Sequence, residues 1–195
     1  MQYVDTGAMY RAVALKIIKS NINPSNEKAV SELIKNIKIN FETESDSIKV
    51  MLDGEDVTEA IRTIEVTNLS SEISTIQSVR ETLVDLQKKL GKGGGIVMEG
   101  RDIGTVVLPN ADVKIFLIAS LQERTKRRHL ELQKKGIEKD LYELEKEILA
   151  RDVKDASRNN SPLKKADDAI ELDTTSLSID DQVNEIVSIA KSTTK

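Results

Sequence analysis

Ile96-Val97-Met98-Glu99-Gly100-Arg101-Asp102 runs three apolar residues into a glycine turn that carries an arginine and an aspartate. A short apolar run of this kind fits a strand in a parallel sheet covered on both faces. Ligands of open α/β sheets bind beyond the carboxyl ends of the strands, so the turn at Gly100 is the expected place for a site. The adjacent side chains can divide the work there, with Arg101 on a phosphate and Asp102 on a base amino group. A turn with a local ion pair would account for the same residues. Residues 113–119 form a second, clearer apolar run of strand type.

Upstream, Asp5-Thr6-Gly7-Ala8-Met9-Tyr10-Arg11 follows a short strand-like Tyr3-Val4. Asp5 to Gly7 supplies a turn and a helix cap, and Met9, Val13, Ile17 and Ile18 mark an apolar stripe over a helix at 8–19. A helix N-terminus with Arg11 one turn in can hold a phosphate by its dipole and a bidentate guanidinium. A capped helix with a surface arginine fits equally well. Pro24-Ser25 ends that helix, and a second is predicted at 26–35.

Ile37, Ile39 and Phe41, then Ile48, Val50 and Leu52, alternate with polar residues and predict two strands. Asp53-Gly54 reads as a hairpin turn. Short helices are expected at 58–61, 66–73 and 83–90. A charged helix follows at 121–135, and another starts near Leu141 and runs on to Arg158. On that second helix Arg151, Asp155 and Arg158 fall at i, i+4 and i+7, hence on one face. Such a face reads either as a surface ion pair or as a lid over a nucleotide. A last strand is expected at 169–172. Ser178 and Asp181 then cap a final helix whose Val183, Ile186, Val187 and Ala190 face the core. Strands alternating with helices indicate an α/β fold, and the hairpin-like segment 37–57 interrupts the alternation as an inserted subdomain.

Composition narrows the functional classes. Net charge is −4, and aromatics make up 3% of 195 residues, which leaves neither a basic field nor a stacking platform for nucleic acid. With no cysteine and one histidine, thiolate metal sites and histidine cages are excluded, and the chain suits a reducing cytoplasm. No apolar run approaches the roughly 18 residues of a membrane helix. His129, among Arg127, Arg128 and Glu131, reads as a surface residue.

Taken in order, these islands resemble the cytidylate kinase family. The match covers D-T-G-A-M-Y-R, E-D-V-T-E-A-I-R-T-I-E-V from Glu55, V-R-E from Val79 and E-G-R-D-I-G-T-V-V-L-P-N-A-D-V-K-I-F-L from Glu99. It continues through E-R-T-K-R-R, R-D-V-K-D-A-S-R, S-P-L and D-A-I-E-L-D-T-T. The resemblance implies the P-loop nucleoside monophosphate kinase-like three-layer fold, a five-stranded parallel sheet in the family, here expected to be missing its first strand and P-loop. It divides the chain into core at 1–36, a nucleotide-monophosphate insert at 37–75, and core again at 76–195 with a lid at about 124–160. It implies transfer of a phosphoryl group from ATP to CMP or dCMP with Mg²⁺, by a cytoplasmic monomer that binds no nucleic acid or membrane. Arg11 and Arg101 would then grip the CMP phosphate. Ser71, Arg80, Asp102 and Arg158 would read the cytosine edge, with Thr6 nearby, and Arg151 and Asp155 would hold the ribose. Arg101, Asp102 and Arg151 are the catalytic candidates, while Arg124, Arg127 and Arg128 are the lid candidates for ATP phosphates.

Family members carry a G-x-x-x-x-G-K-[ST] loop ahead of D-T-G-A-M-Y-R, where only Met1 and Gln2 stand in this chain. The glycine-rich stretch Leu90-Gly91-Lys92-Gly93-Gly94-Gly95 has its lysine before three glycines and no Ser or Thr after them. It is expected to be a connector. The natural protein is therefore expected to be longer, by roughly 25 to 30 residues of strand, loop and helix. The chain as given is expected to be impaired in phosphoryl transfer, and a CMP-binding module without catalysis is the alternative.

Overall fold

The computed structural model describes residues 1–44, 47–158 and 161–193. The chain divides into two compact units, Met1–Leu108 and Pro109–Lys195.

In the first unit, β1 (Gln2–Asp5) leads directly into α1 (Thr6–Lys19). Asp5 caps that helix, its Oδ1 accepting from the amide of Ala8 at 3.0 Å. After α2 (Glu27–Ile34), the strands β2 (Ile39–Glu44), β3 (Ser47–Leu52) and β4 (Glu55–Asp56) form an antiparallel sheet. The turn predicted at Asp53-Gly54 joins β3 to β4, with φ of 52° and 90° at the two residues. Two consecutive positive φ values are what a twisted two-residue hairpin turn requires. Asp53 also ties the sheet to α1, since its Oδ2 accepts from Lys16 at 2.6 Å while Oδ1 accepts from the Lys38 amide at 2.9 Å. A 3₁₀ turn at Ala60–Arg62 and α3 (Ile64–Ile73) follow, and then α4 (Gln77–Gly91), which begins six residues before the expected 83.

The Gly93 to Gly95 stretch is a connector, as its sequence indicates. Gly94 and Gly95 take φ of 65° and 61°, which side chains rarely tolerate. It delivers the chain into β5 (Ile96–Glu99), parallel to β1, with Asp5 opposite Glu99. A π-helical turn, Ile103–Val107, closes the unit. Met9, Val13, Ile17, Val30, Ile34, Phe41, Val50, Ile73, Val79 and Leu83 belong to one contiguous core. Among them lies Gln87 of α4, 1% exposed, whose Nε2 has no hydrogen-bond partner among the described residues. An unsatisfied buried donor costs about 1–3 kcal/mol. Gln87→Met is expected to raise unfolding stability by about 1 kcal/mol in urea denaturation.

The second unit pairs β6 (Ile115–Ile118) in parallel with β7 (Ile170–Asp173), joined through α5 (Leu121–Lys134) and α6 (Leu141–Ala156) and followed by α7 (Ile179–Thr193). Ser178 and Asp181 form the expected capping box: Ser178 Oγ accepts from the Asp181 amide at 3.1 Å, and the Asp181 carboxylate accepts from Ser178 Oγ at 2.6 Å.

Several expectations are corrected. The parallel strands pair as β1 with β5 and β6 with β7, and the cover expected on both faces is incomplete at β5 and β6. Val97 is 49% exposed and Leu117 52%. Successive side chains of a strand point to opposite faces, and these two lie on faces left open to solvent. No residue of α7 is buried, and Val183 and Val187 are exposed rather than facing a core. The two-stranded sheet of that unit is too narrow to cover the apolar stripe of a 15-residue helix. His129 is half-buried, and its Nδ1 lies out of solvent without a hydrogen-bond partner among the described residues. Finally, α6 stops at Ala156, so Arg158 is not on its face.

Candidate active site

The carboxyl ends of β1 and β5 lie side by side, and the segments that leave them carry Thr6, Arg11, Arg101 and Asp102. Thr6 is 4% exposed and donates its hydroxyl to the Glu99 carbonyl at 2.7 Å, which stitches the two strand ends together. Gly100 packs against that bond: a Cβ there would lie 2.3 Å from Thr6 Oγ1 and 2.9 Å from Ile103 Cδ1. One turn into α1, Arg11 donates from Nη2 to Asp5 Oδ2 at 2.8 Å. Tyr3 stands beside them on β1. Burial, then its hydrogen bond to Glu99 and the charges of Glu99 and Asp5, push its hydroxyl well above the ordinary tyrosine range, while Arg11 opposes the shift.

Arg80 and Asp102 meet each other. Arg80 Nη1 donates to Asp102 Oδ2 at 2.8 Å, and the two side chains are only 7% and 8% exposed. The Arg80 guanidinium also lies over the Tyr10 ring, 5.7 Å from its centroid. Two residues proposed from sequence as separate base readers thus form one buried, oriented group. Arg101 is exposed beside them, and Ser71 is half-buried on α3, where its carbonyl accepts from Ser74 Oγ at 2.9 Å.

In the second unit the helical-spacing argument fails, although Arg158 still meets Asp155. Beyond the end of α6, Arg158 turns back onto Asp155, with its Nη2 on Oδ1 and its Nε 3.4 Å from the Asp155 carbonyl. Both side chains are below 10% exposure in that ion pair (9% and 7%), whereas the Arg151 Nε to Asp155 Oδ2 distance is 4.0 Å. Of the lid candidates, Arg124 pairs with Asp152 and donates to the Ala119 carbonyl, and Arg128 pairs with Glu131 at 2.6 Å. Arg127 binds Glu123 at 2.9 Å and reaches Thr174 through two donors, to the hydroxyl at 3.2 Å and the carbonyl at 2.5 Å. Arg127 therefore fastens α5 to the residue after β7.

The candidates drawn from sequence do not include Asp5 and Tyr10, which lie against Arg11 and Arg80. Asp5 was read only as a cap, and Tyr10 only as one letter of a motif. Their position in the same seven residues as Thr6 and Arg11 is the signal that could have found them.

Residues 1–192 match the family described as Cytidylate kinase. The cytidylate kinase of Pediococcus pentosaceus is 55% identical over 193 residues, which cover 99% of this chain and 85% of that protein. Those of Bacillus cereus and Bacillus anthracis are 51% and 50% identical over 187 residues, covering 96% of this chain and 83% of theirs. A family match across nearly the whole length, together with relatives sharing half or more of its residues, leaves one assignment: the chain belongs to the cytidylate kinase family of phosphotransferases.

Proposed function

We propose that the protein transfers the γ-phosphoryl group of ATP to CMP and dCMP, giving CDP or dCDP and ADP. The observation that carries this reading is the buried Arg80–Asp102 pair at the carboxyl end of β5, next to Thr6 and Arg11. With Oδ2 held by Arg80, Asp102 has Oδ1 to accept from the cytosine amino group. Uracil would turn a carbonyl oxygen toward the same carboxylate. A site built on such hydrogen bonds can reject the mismatched base by about 10⁴ to 10⁵.

Arg11 and Arg101 take the CMP phosphate, with the N-terminus of α1 adding its dipole. Ser71 and Thr6 complete the base contacts of the first unit. From the second unit, Arg158 is assigned to the base and Arg151 and Asp155 to the ribose. Segments 37–75 and about 124–160 act as the monophosphate insert and the lid of a core built from 1–36 and 76–195. A CMP phosphate oxygen attacks the γ-phosphorus, the bond to the β-phosphate oxygen breaks, and ADP leaves. The protein's part is positioning and charge neutralisation, by Arg101 and Arg151 among the catalytic candidates and by Arg124 or Arg128 toward ATP. Among the described residues no three His, Asp or Glu side chains group to hold a metal ion. Mg²⁺ would be supplied bound to the ATP phosphates. No helix among the described residues is long and apolar enough to cross a membrane. We place the reaction in a reducing cytoplasm, carried out by a monomer.

Release of ADP from MgATP, followed with CMP, UMP and AMP as acceptors, tests the reading. CMP is expected to be turned over with a kcat/KM at least about tenfold above the other two, 1.4 kcal/mol of discrimination. Equal turnover of the three acceptors would contradict the reading.

A further inference from the structure

Asp5 uses its two carboxylate oxygens for two different tasks. Oδ1 accepts from the Ala8 amide at 3.0 Å and caps α1, and Oδ2 accepts from Arg11 Nη2 at 2.8 Å. One residue therefore fixes both the start of the helix and the arginine one turn into it. Gly7 keeps the space between them clear: a Cβ there would lie 3.0 Å from Asp5 Oδ1 and 3.2 Å from Arg11 Nη1. The pair is partly open, with side-chain exposures of 27% and 23%, so the guanidinium can meet a ligand while held from one side.

We propose that Asp5 is a positioning residue for phosphate binding, holding Arg11 so that its remaining donors face the nucleotide phosphate. This rests on the assignment of Arg11 to the CMP phosphate. An unrestrained arginine would lose much rotamer freedom on binding, and one already held by Asp5 loses less. A carboxylate near a phosphate is also repulsive. Here its charge is offset by the guanidinium and by the helix N-terminus, so orientation outweighs repulsion.

The experiment titrates the wild-type protein and Asp5→Asn with CMP and with cytidine, which lacks the phosphate. Asparagine keeps an oxygen for the cap but turns an amide donor toward Arg11. Asp5→Asn is expected to weaken CMP about tenfold and leave cytidine within about twofold, because one charge-assisted bond is lost on the phosphate side only. Unchanged or tighter CMP binding overturns the proposal, as does an equal loss for cytidine, which would mean a merely structural role. If Asp5→Asn does not fold, Gly7→Ala decides. The added methyl crowds the Asp5–Arg11 pair, so CMP should weaken while cytidine does not, in a sample shown to be folded by its melting curve. Unchanged CMP binding by that variant overturns the proposal. A wild-type protein that binds no CMP overturns the CMP reading itself, whereas a wild type that binds CMP beside an unaffected Asp5→Asn overturns only the role of Asp5.

Discussion

Arg80→Met should lower unfolding stability by about 3–5 kcal/mol, because it leaves the Asp102 carboxylate buried without its cation. Both side chains are more than 90% buried (7% and 8% exposed), so water cannot replace the lost partner. Asp102→Leu should cost a similar amount by stranding the guanidinium under Tyr10. The double variant Arg80→Met/Asp102→Leu separates the two roles of the pair. Replacing both members by apolar side chains of similar volume is often neutral, so most of the stability should return in urea denaturation. CMP affinity should not return, since neither the acceptor nor the donor is restored. Recovery of binding with recovery of fold would show that the pair only holds the unit together.

Gly100→Ala should be nearly as damaging, by a steric route. The new methyl would lie 2.3 Å from Thr6 Oγ1 and within 3.0 Å of Ile103 Cδ1 and Cγ1. Thr6 cannot simply swing away, being 4% exposed and bonded to the Glu99 carbonyl. Either that bond breaks or the end of β5 shifts, and the shift moves Arg101 and Asp102 together. Overpacking of this kind costs about 1–3 kcal/mol. CMP affinity is expected to fall more than about tenfold, which is 1.4 kcal/mol. Gly93→Ala is the control: a Cβ there meets nothing within 4 Å, and stability should stay within about 0.5 kcal/mol. Equal effects of the two substitutions would contradict the packing argument.

How much of this was legible in the sequence depends on the range of the interactions involved. The α/β class, the Asp53-Gly54 turn and the Ser178–Asp181 capping box follow from local chemistry within a few residues, and all three are present. The pairing of Arg80 with Asp102 spans 22 positions and Thr6 with Glu99 spans 93, so residue type alone could place each near a site but not against its partner. Helical periodicity put Arg158 on a face of α6. The helix ends at Ala156, yet the arginine still reaches Asp155, because a side chain of that length spans the turn as readily as a helical step. Burial was the least legible property. Val183 and Val187 fit an amphipathic pattern perfectly well, but periodicity specifies a face and not the layer that covers it. For His129, charged neighbours in sequence do not determine where an imidazole nitrogen points, and its Nδ1 is turned out of solvent.

Calorimetric titration with CMP and with UMP tests the central claim most directly, because it addresses the half-site whose geometry is on hand at the ends of β1 and β5. Binding of CMP at least about tenfold tighter than UMP is the expected result, 1.4 kcal/mol read at the Asp102 carboxylate. Equal binding of the two nucleotides, or none by a folded sample, would contradict the assignment of Arg11, Arg80 and Asp102 to a cytidine monophosphate site.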